Sequence, residues 1–145
     1  MVGAEMKAFI IIICAFLVLG LKPIDITASR MEMNTKEKKF EFKDNVVAKQ
    51  ADVTITCDEL TAYYGKDSQQ IERIVALGKV RIVQKERVAS GERAEYDNIH
   101  RTLRLTGKPR VWQGTDVIEG EEIIVLLDEG KVQVKKAQAI YHPKE

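Results

Sequence analysis

From residue 24 onward, apolar and polar residues alternate with a period of two, and the alternation breaks at turn residues. This is the pattern of strands with one buried face. Runs such as Ile24-Asp-Ile-Thr-Ala28, Lys79-Val-Arg-Ile-Val83 and Lys131-Val-Gln-Val-Lys135 are divided by turn candidates at Asn34-Thr-Lys-Glu37, Gly65-Lys-Asp-Ser68, Asn98-Ile-His-Arg101 and Asp128-Glu-Gly130. No stretch after residue 22 sustains a capped helical stripe, so the domain is expected to be all-β. The alternation assigns one face to Ile24, Ile26, Ala28, Phe40, Phe42, Val46, Val53, Ile55, Cys57, Ile74, Ala76, Val80, Ile82, Leu103, Leu105, Val111 and Ile118. The opposite face carries Asp25, Thr27, Glu41, Thr54, Arg81 and Arg104.

The chain also repeats itself. Aligned on Gln50, Gln84 and Gln113, which are 34 and 29 residues apart, each copy has a small residue seven positions on (Cys57, Gly91, Gly120) and an acid at eight (Asp58, Glu92, Glu121). Apolar residues follow at five (Ile55, Ala89, Ile118) and at ten (Leu60, Ala94, Ile123). A truncated copy, Ile26-Thr-Ala28-Ser-Arg-Met31, aligns with Ile55 to Leu60 without a gap. The face parity switches between the seventh and tenth positions, so an irregularity falls at the small residue and acid, where a β-bulge is best tolerated. Each repeat is therefore a long bent strand, a turn and a return strand. One such pair cannot bury its own face, but stacked pairs curl into a continuous trough.

The first residues do not share this pattern. Ala8 to Leu21 is an uncharged apolar stretch preceded by Lys7. That is the form of an export signal, and it falls short of the ~20 apolar residues that span a bilayer comfortably. Residues 1–20 are read as a signal peptide, with a retained anchor as the alternative, residues 21–141 as the β domain and 142–145 as a short tail. The chain has two cysteines, Cys14 and Cys57, so removal of the leader leaves Cys57 without a partner for an intramolecular disulfide.

Hydrophobic residues make up 45% of the 145 residues, enough for a packed core. Lys and Arg total 23 against 22 for Asp and Glu, without the basic excess of a nucleic-acid binder. Asp58, Glu92 and Glu121 recur once per repeat, which spreads them along the stack instead of gathering them into a catalytic or cation site. His100 and His142 alone do not make a metal centre. P-loop, dinucleotide, zinc-protease, CxxC and GxSxG patterns are absent from the sequence. An enzyme, a cofactor and a metal are therefore not expected.

Phe42-Lys-Asp-Asn-Val46, Gln50 followed by Ile55-Thr-Cys57-Asp58, Ser90-Gly91-Glu92-Arg93-Ala94, and Leu105-Thr-Gly-Lys-Pro-Arg-Val111 with Gln113-Gly114 resemble the OstA-like family of LptA-type periplasmic lipopolysaccharide-transport proteins. The resemblance covers residues 23 to about 140. It implies a V-shaped, partly open β-jellyroll that shields lipid A acyl chains. It further implies copies that stack edge to edge, and inner- and outer-membrane export components as partners. Pro23-Ile24-Asp25-Ile26 matches the family's early strand, whose isoleucines face lipid, and Val80 and Ile82 match a later apolar strand. The lipid-facing set expected on this basis is Ile24, Ile26, Phe40, Phe42, Val46, Ile55, Val80, Ile82, Leu105 and Val111. Inner-face hydrophobes of any β domain are core first. Two alternatives thus stay open: an inner-membrane-anchored relative, and a structural β-repeat module that binds no lipid. The leader predicts an exported chain that begins at or beside Leu21. N-terminal sequencing checks this, and retention of residues 1–20 would select the anchored form.

Overall fold

The computed structural model describes residues 24–67 and 70–143, so the expected leader lies outside the described residues. The strands are β1 (Asp25–Thr27), β2 (Arg30–Asn34), β3 (Lys39–Gln50), β4 (Val53–Tyr64), β5 (Ile71–Gln84) and β6 (Arg87–Asp97). They continue with β7 (Thr102–Thr106), β8 (Arg110–Gln113), β9 (Asp116–Glu119), β10 (Glu122–Leu126), β11 (Lys131–Lys135) and β12 (Gln138–Ile140). All pairings are antiparallel, and the sheet does not close on itself.

The pairing shows that these strands are the arms of eight longer, creased ones. β1 with β2, β7 with β8, β9 with β10 and β11 with β12 follow each other directly across a short break, while β3 to β6 run through it. The register of the long strands shifts between Lys43 and Val46, Thr56 and Glu59, and Leu77 and Val80. Everything on one side of the crease forms wall I: β2, residues 39–43, 59–64, 71–77 and 93–97, β7, β10 and β11. Everything on the other side forms wall II: β1, residues 46–50, 53–57, 80–84 and 87–91, β8, β9 and β12. Each hairpin with its turn at the wall I rim is one sequence repeat, and the repeats join through the wall II turns at 51–52, 85–86 and 114–115.

Two complementary devices make the crease. In alternate strands the expected small residue and polar follower occur: Ala28-Ser29, Cys57-Asp58, Gly91-Glu92 and Gly120-Glu121. In the intervening strands the backbone turns through positive φ, at Asp44 (67°) and Asn45 (54°), Gly78 (80°) and Lys79 (49°), Gly107 (74°) and Lys108 (53°), and Lys136 (52°). The two sets interlock. The N–H groups of Ser29, Glu92 and Glu121 donate to the carbonyls of Asp44 (2.9 Å), Gly107 (3.0 Å) and Lys135 (2.9 Å). The Asp58 and Glu92 side chains lie over Gly78 and Gly107, where a Cβ would meet them at 2.3 and 2.4 Å. The acids singled out by the repeat thus cover neighbouring left-handed turns along a ridge. Lys136 pairs there with Glu121 at 2.9 Å.

The two outer faces differ. Wall I is laced with ion pairs, including Lys39 with Glu37 and Glu41, Arg73 and Arg93 with Glu95, and Arg104 with Glu122. Hydrogen bonds to Glu37 and Glu41 hold the Lys39 ammonium well above the usual lysine range, and Lys39 in turn holds Glu41 below the usual carboxylate range. Solvent-screened pairs on an outer face contribute little to stability. Wall II instead carries an apolar row, Val83–Val88–Trp112–Val117–Ile140. Arg81 and Arg110, from the neighbouring row, lie against the Trp112 ring at 5.9 and 5.2 Å from its centroid, so Trp112 is an outer cover with two cations upon it.

A Cβ at Gly120 would lie 2.6 Å from the Lys135 carbonyl oxygen, a backbone atom that cannot swing aside. Gly120→Val is expected to destabilise the domain by about 1–3 kcal/mol, the range for overpacking. Cys57→Ala, which recreates the residue found at Ala28, should stay within about 1 kcal/mol. Urea unfolding of both variants measures the difference.

Candidate functional site

The inner faces are built from cross-strand rows. On wall I one row runs from Met31 through Phe42, Leu60, Ala76, Ala94, Leu105 and Ile123 to Val134. A second runs from Met33 through Phe40, Ala62, Ile74, Tyr96, Leu103 and Val125 to Val132. Wall II answers with Ile26, Ala48, Ile55, Ile82, Ala89, Val111, Ile118 and Ala139. These rows follow from the parity switch at the crease, which returns apolar positions to the same side after the bend. Leu60-x-Ala62 and Ile123-x-Val125 both face inward.

The two halves of this interior are packed differently. Toward the C-terminal end it is solid: Leu105 and Val125 are fully buried, and Ile123 and Leu127 nearly so. Toward the N-terminal end the walls leave an apolar cavity of about 60 Å³. Wall II contributes Ile24, Ile26, Ala48, Ile55, Val80 and Ile82 to its lining, and wall I contributes Leu60, Ala62, Ile71, Ile74, Ala76 and Tyr96. The volume equals that of roughly two waters, but an apolar lining keeps such a space dry. Beyond it, Met31 and Met33 reach the edge of wall I with 59% and 56% of their surface exposed.

Five of the ten expected lipid-facing residues, Ile24, Ile26, Ile55, Val80 and Ile82, therefore surround one cavity. Phe42 is half-buried against the core beside it. Phe40 stacks on Tyr64 with centroids 5.3 Å apart, near the wall I rim. Val46 lies buried at the crease, and Leu105 and Val111 are packed in the core away from the cavity. Ala48, Lys49, Gln50, Leu60, Ala62, Ile71, Ala94 and Tyr96 also line it without having been singled out for it. The signal for Leu60, Ala62 and Tyr96 was present in the parity switch.

Tyr96 brings a phenol into this lining and satisfies it. Its hydroxyl donates to Asn98 Oδ1 (2.7 Å) and accepts from Arg101 Nη1 (2.8 Å), while burial pushes its pKa up. On wall II the inner row closest to the rim is polar: Gln50, Val53, Gln84, Arg87, Gln113 and Asp116 are consecutive partners. Gln84 Nε2 donates to Asp52 Oδ1 (2.7 Å), Arg87 Nε to Gln113 Oε1 (3.1 Å), and the His142 N–H to Asp116 Oδ1 (2.7 Å). Each of these bonds runs along wall II, and the Tyr96 bonds run along wall I. They do not hold the mouth of the V shut. Among the described residues, no group of three or more His, Cys, Asp or Glu side chains gathers as a metal centre.

Comparison with known proteins follows the same lines. The family described as "LptA/(LptD N-terminal domain) LPS transport protein" matches residues 25–131. An uncharacterized protein of Rhizobium meliloti (strain 1021) is 27% identical over 121 residues, 78% of this chain, and the chain spans 65% of that relative's length. Among solved structures, the crystal structure of LptH, the LptA-homologous periplasmic component of the lipopolysaccharide transport device from Pseudomonas aeruginosa, superposes with a TM-score of 0.71. It is 19% identical, and the match covers 84% of this chain and 96% of that one, which establishes the shared fold.

Cys57 closes the inner surface at the crease, 5% exposed. Burial, with Asp58 adjoining, raises its thiol pKa to about 11. At pH 8 only about one thiol in a thousand is then the reactive thiolate. Labelling of Cys57 by a maleimide at pH 8 should therefore be slower in the folded protein than in urea by roughly a hundredfold or more.

Proposed function

Because this chain belongs to the LptA/(LptD N-terminal domain) LPS transport protein family, we propose that it is a periplasmic lipopolysaccharide carrier whose trough shields the acyl chains of lipid A between the two membranes. The observation that carries this reading is the unbroken apolar interior between two walls joined at the crease, with free space at its N-terminal end. An acyl chain exposed to water forfeits ~0.8 kcal/mol per methylene, so a chain of about a dozen methylenes carries roughly 10 kcal/mol of driving force toward such a surface. That suffices for carriage without covalent chemistry.

A cavity of about 60 Å³ does not hold such a chain, so loading parts the walls. The crease is suited to that motion: its bonds lie along the ridge, and the rim bonds of Gln84, Arg87 and Tyr96 each run along their own wall. The lining residues Ile24, Ile26, Ile55, Val80 and Ile82 meet lipid first on this reading. Phe40 and Phe42 extend the contact toward the N-terminal edge. Val46, Leu105 and Val111 contribute only where the parting reaches the core.

The free edges are β1 and β2 at one end and β11 and β12 at the other. Unpaired edges are normally an aggregation hazard. Here they serve to extend the sheet into a neighbouring copy or an export component of either membrane by strand addition. Exposed Met31 and Met33 would then continue the trough across the junction.

The solid C-terminal half, with Leu105 and Val125 at 0% exposure, favours a second reading in which the domain is a scaffold that binds no lipid. Photo-crosslinking in cells separates the two. Probes at Ile26 and Ile82 should crosslink to lipopolysaccharide, while the outward control Thr54 should not. Silence at all three positions in folded, exported protein would select the scaffold.

A further inference from the structure

We infer that the wall II lip formed by Gln84, Arg87, Gln113 and Asp116 is a binding strip for the hydroxyl-rich carbohydrate head of the amphiphile whose chains enter the trough. This rests on the carrier reading above and adds to it the part of the ligand that the apolar interior does not recognise. The lip occupies the last inward-facing positions before the turns at 85–86 and 114–115. Two residues deeper, one pleat of about 7 Å, lies the apolar row through Ile82, Ala89, Val111 and Ile118. Polar groups therefore stand at a fixed height above apolar ones, the arrangement an amphiphile requires.

The wall I rim differs. Its Ile71 and buried Leu127 are apolar, and its polar Asn98 and Arg101 are tied to the Tyr96 hydroxyl and to each other. The fold does not demand polarity on wall II, because Val53 fills the same row between Gln50 and Gln84 and is buried. Glutamine nevertheless recurs at the equivalent place in three repeats, the alignment point of the sequence itself.

The side chains are held in line by their neighbours. Gln84 is anchored through Nε2 on Asp52, and its Oε1 is shielded and without a hydrogen-bond partner among the described residues. Anchoring the turn thus uses only half of this amide. Arg87 is oriented by Nε on Gln113. Planar amide, guanidinium and carboxylate groups in adjacent positions present paired donors and acceptors, which suits adjacent hydroxyls. The strip carries one cation, Arg87, and one acid, Asp116, with Asp52 in the neighbouring turn, so its formal charge favours neutral hydroxyls over free phosphate. Parting of the walls would open the shielded Gln84 oxygen to such a donor.

The test compares the full protein with a Gln84→Leu/Gln113→Leu variant, whose fold is checked by its urea midpoint and for which Val53 is the structural precedent. Binding is measured to lipopolysaccharide, to a phospholipid of matched chain length, to deacylated lipopolysaccharide and to inorganic phosphate. The inference expects the variant to lose about tenfold in lipopolysaccharide affinity while its phospholipid affinity stays level, since a buried polar group deprived of its hydroxyl partner discriminates strongly. Equal lipopolysaccharide affinity in the two proteins overturns it, as does displacement of the sugar head by millimolar phosphate. If the parent takes up neither amphiphile, the carrier reading fails. The strip is then judged on the deacylated glycan: binding that the variant loses supports it, and no binding overturns it.

Discussion

The crease is the constraint on which the rest depends. Eight strands bend at the same height, and the bend divides one sheet into two walls that face each other. It is costly in isolation. Asp44, Asn45, Lys79, Lys108 and Lys136 all take positive φ without being glycine, a conformation that disfavours side-chain-bearing residues by roughly 1–2 kcal/mol each. The cost is met because bending brings two apolar faces together. Each fully buried Leu or Val contributes ~1.5–3 kcal/mol, and the interior contains many. The ridge also retains its hydrogen bonds, with Glu92 and Glu121 donating into the carbonyls of the neighbouring turns. A crease without those donors would leave buried backbone groups unpaired.

This explains why the repeat is visible in the sequence while its meaning is not. Two copies have glycine at the bulge because the Thr106 and Lys135 carbonyls leave no space for a Cβ at Gly91 and Gly120, and the acids Asp58 and Glu92 lie over Gly78 and Gly107 of the adjoining strands. The matching devices on the intervening strands are harder to read. Gly78 and Gly107 carry a signal, and so does Asp44-Asn45, whose residue types tolerate the left-handed region, but Lys136 reaches positive φ with a residue that gives none. The wall II turns are similarly hidden, since Ala51 (φ 52°) and Lys85 (φ 54°) occupy the left-handed positions of two-residue loops that usually take Gly or Asn.

The expected inner face follows from alternation alone, from Ile24 to Ile118, because a period of two is a local property of strands. Whether a given inner residue packs against protein or borders free space is set by the distance between walls. That distance depends on side-chain volume from both walls together. Leu105 and Ile82 look alike in the sequence, yet one is sealed between Ala94 and Ile123 and the other borders the cavity with Ala48, Ala62 and Ala76 close by. The small residues opposite create the space, and no single strand records them as a set. The same limit hid the glutamines: their spacing is plain, but their height on wall II exists only after the crease has formed.

A trough assembled from creased hairpins differs from a barrel in having ends. A closed sheet would remove the edges and their hazards, and it would also end the interior row by row. Here the three apolar inner rows reach both edges, from Met31 and Met33 to Val134 and Val132, and from Ile26 to Ala139. On the carrier reading, that openness is the functional feature. The apolar surface that binds one acyl chain continues into whatever strand is added next, so a lipid can advance without returning to water. The charged ion pairs on the outside of wall I keep the remaining surface soluble, and the crease holds the two walls at the spacing that leaves only one end empty.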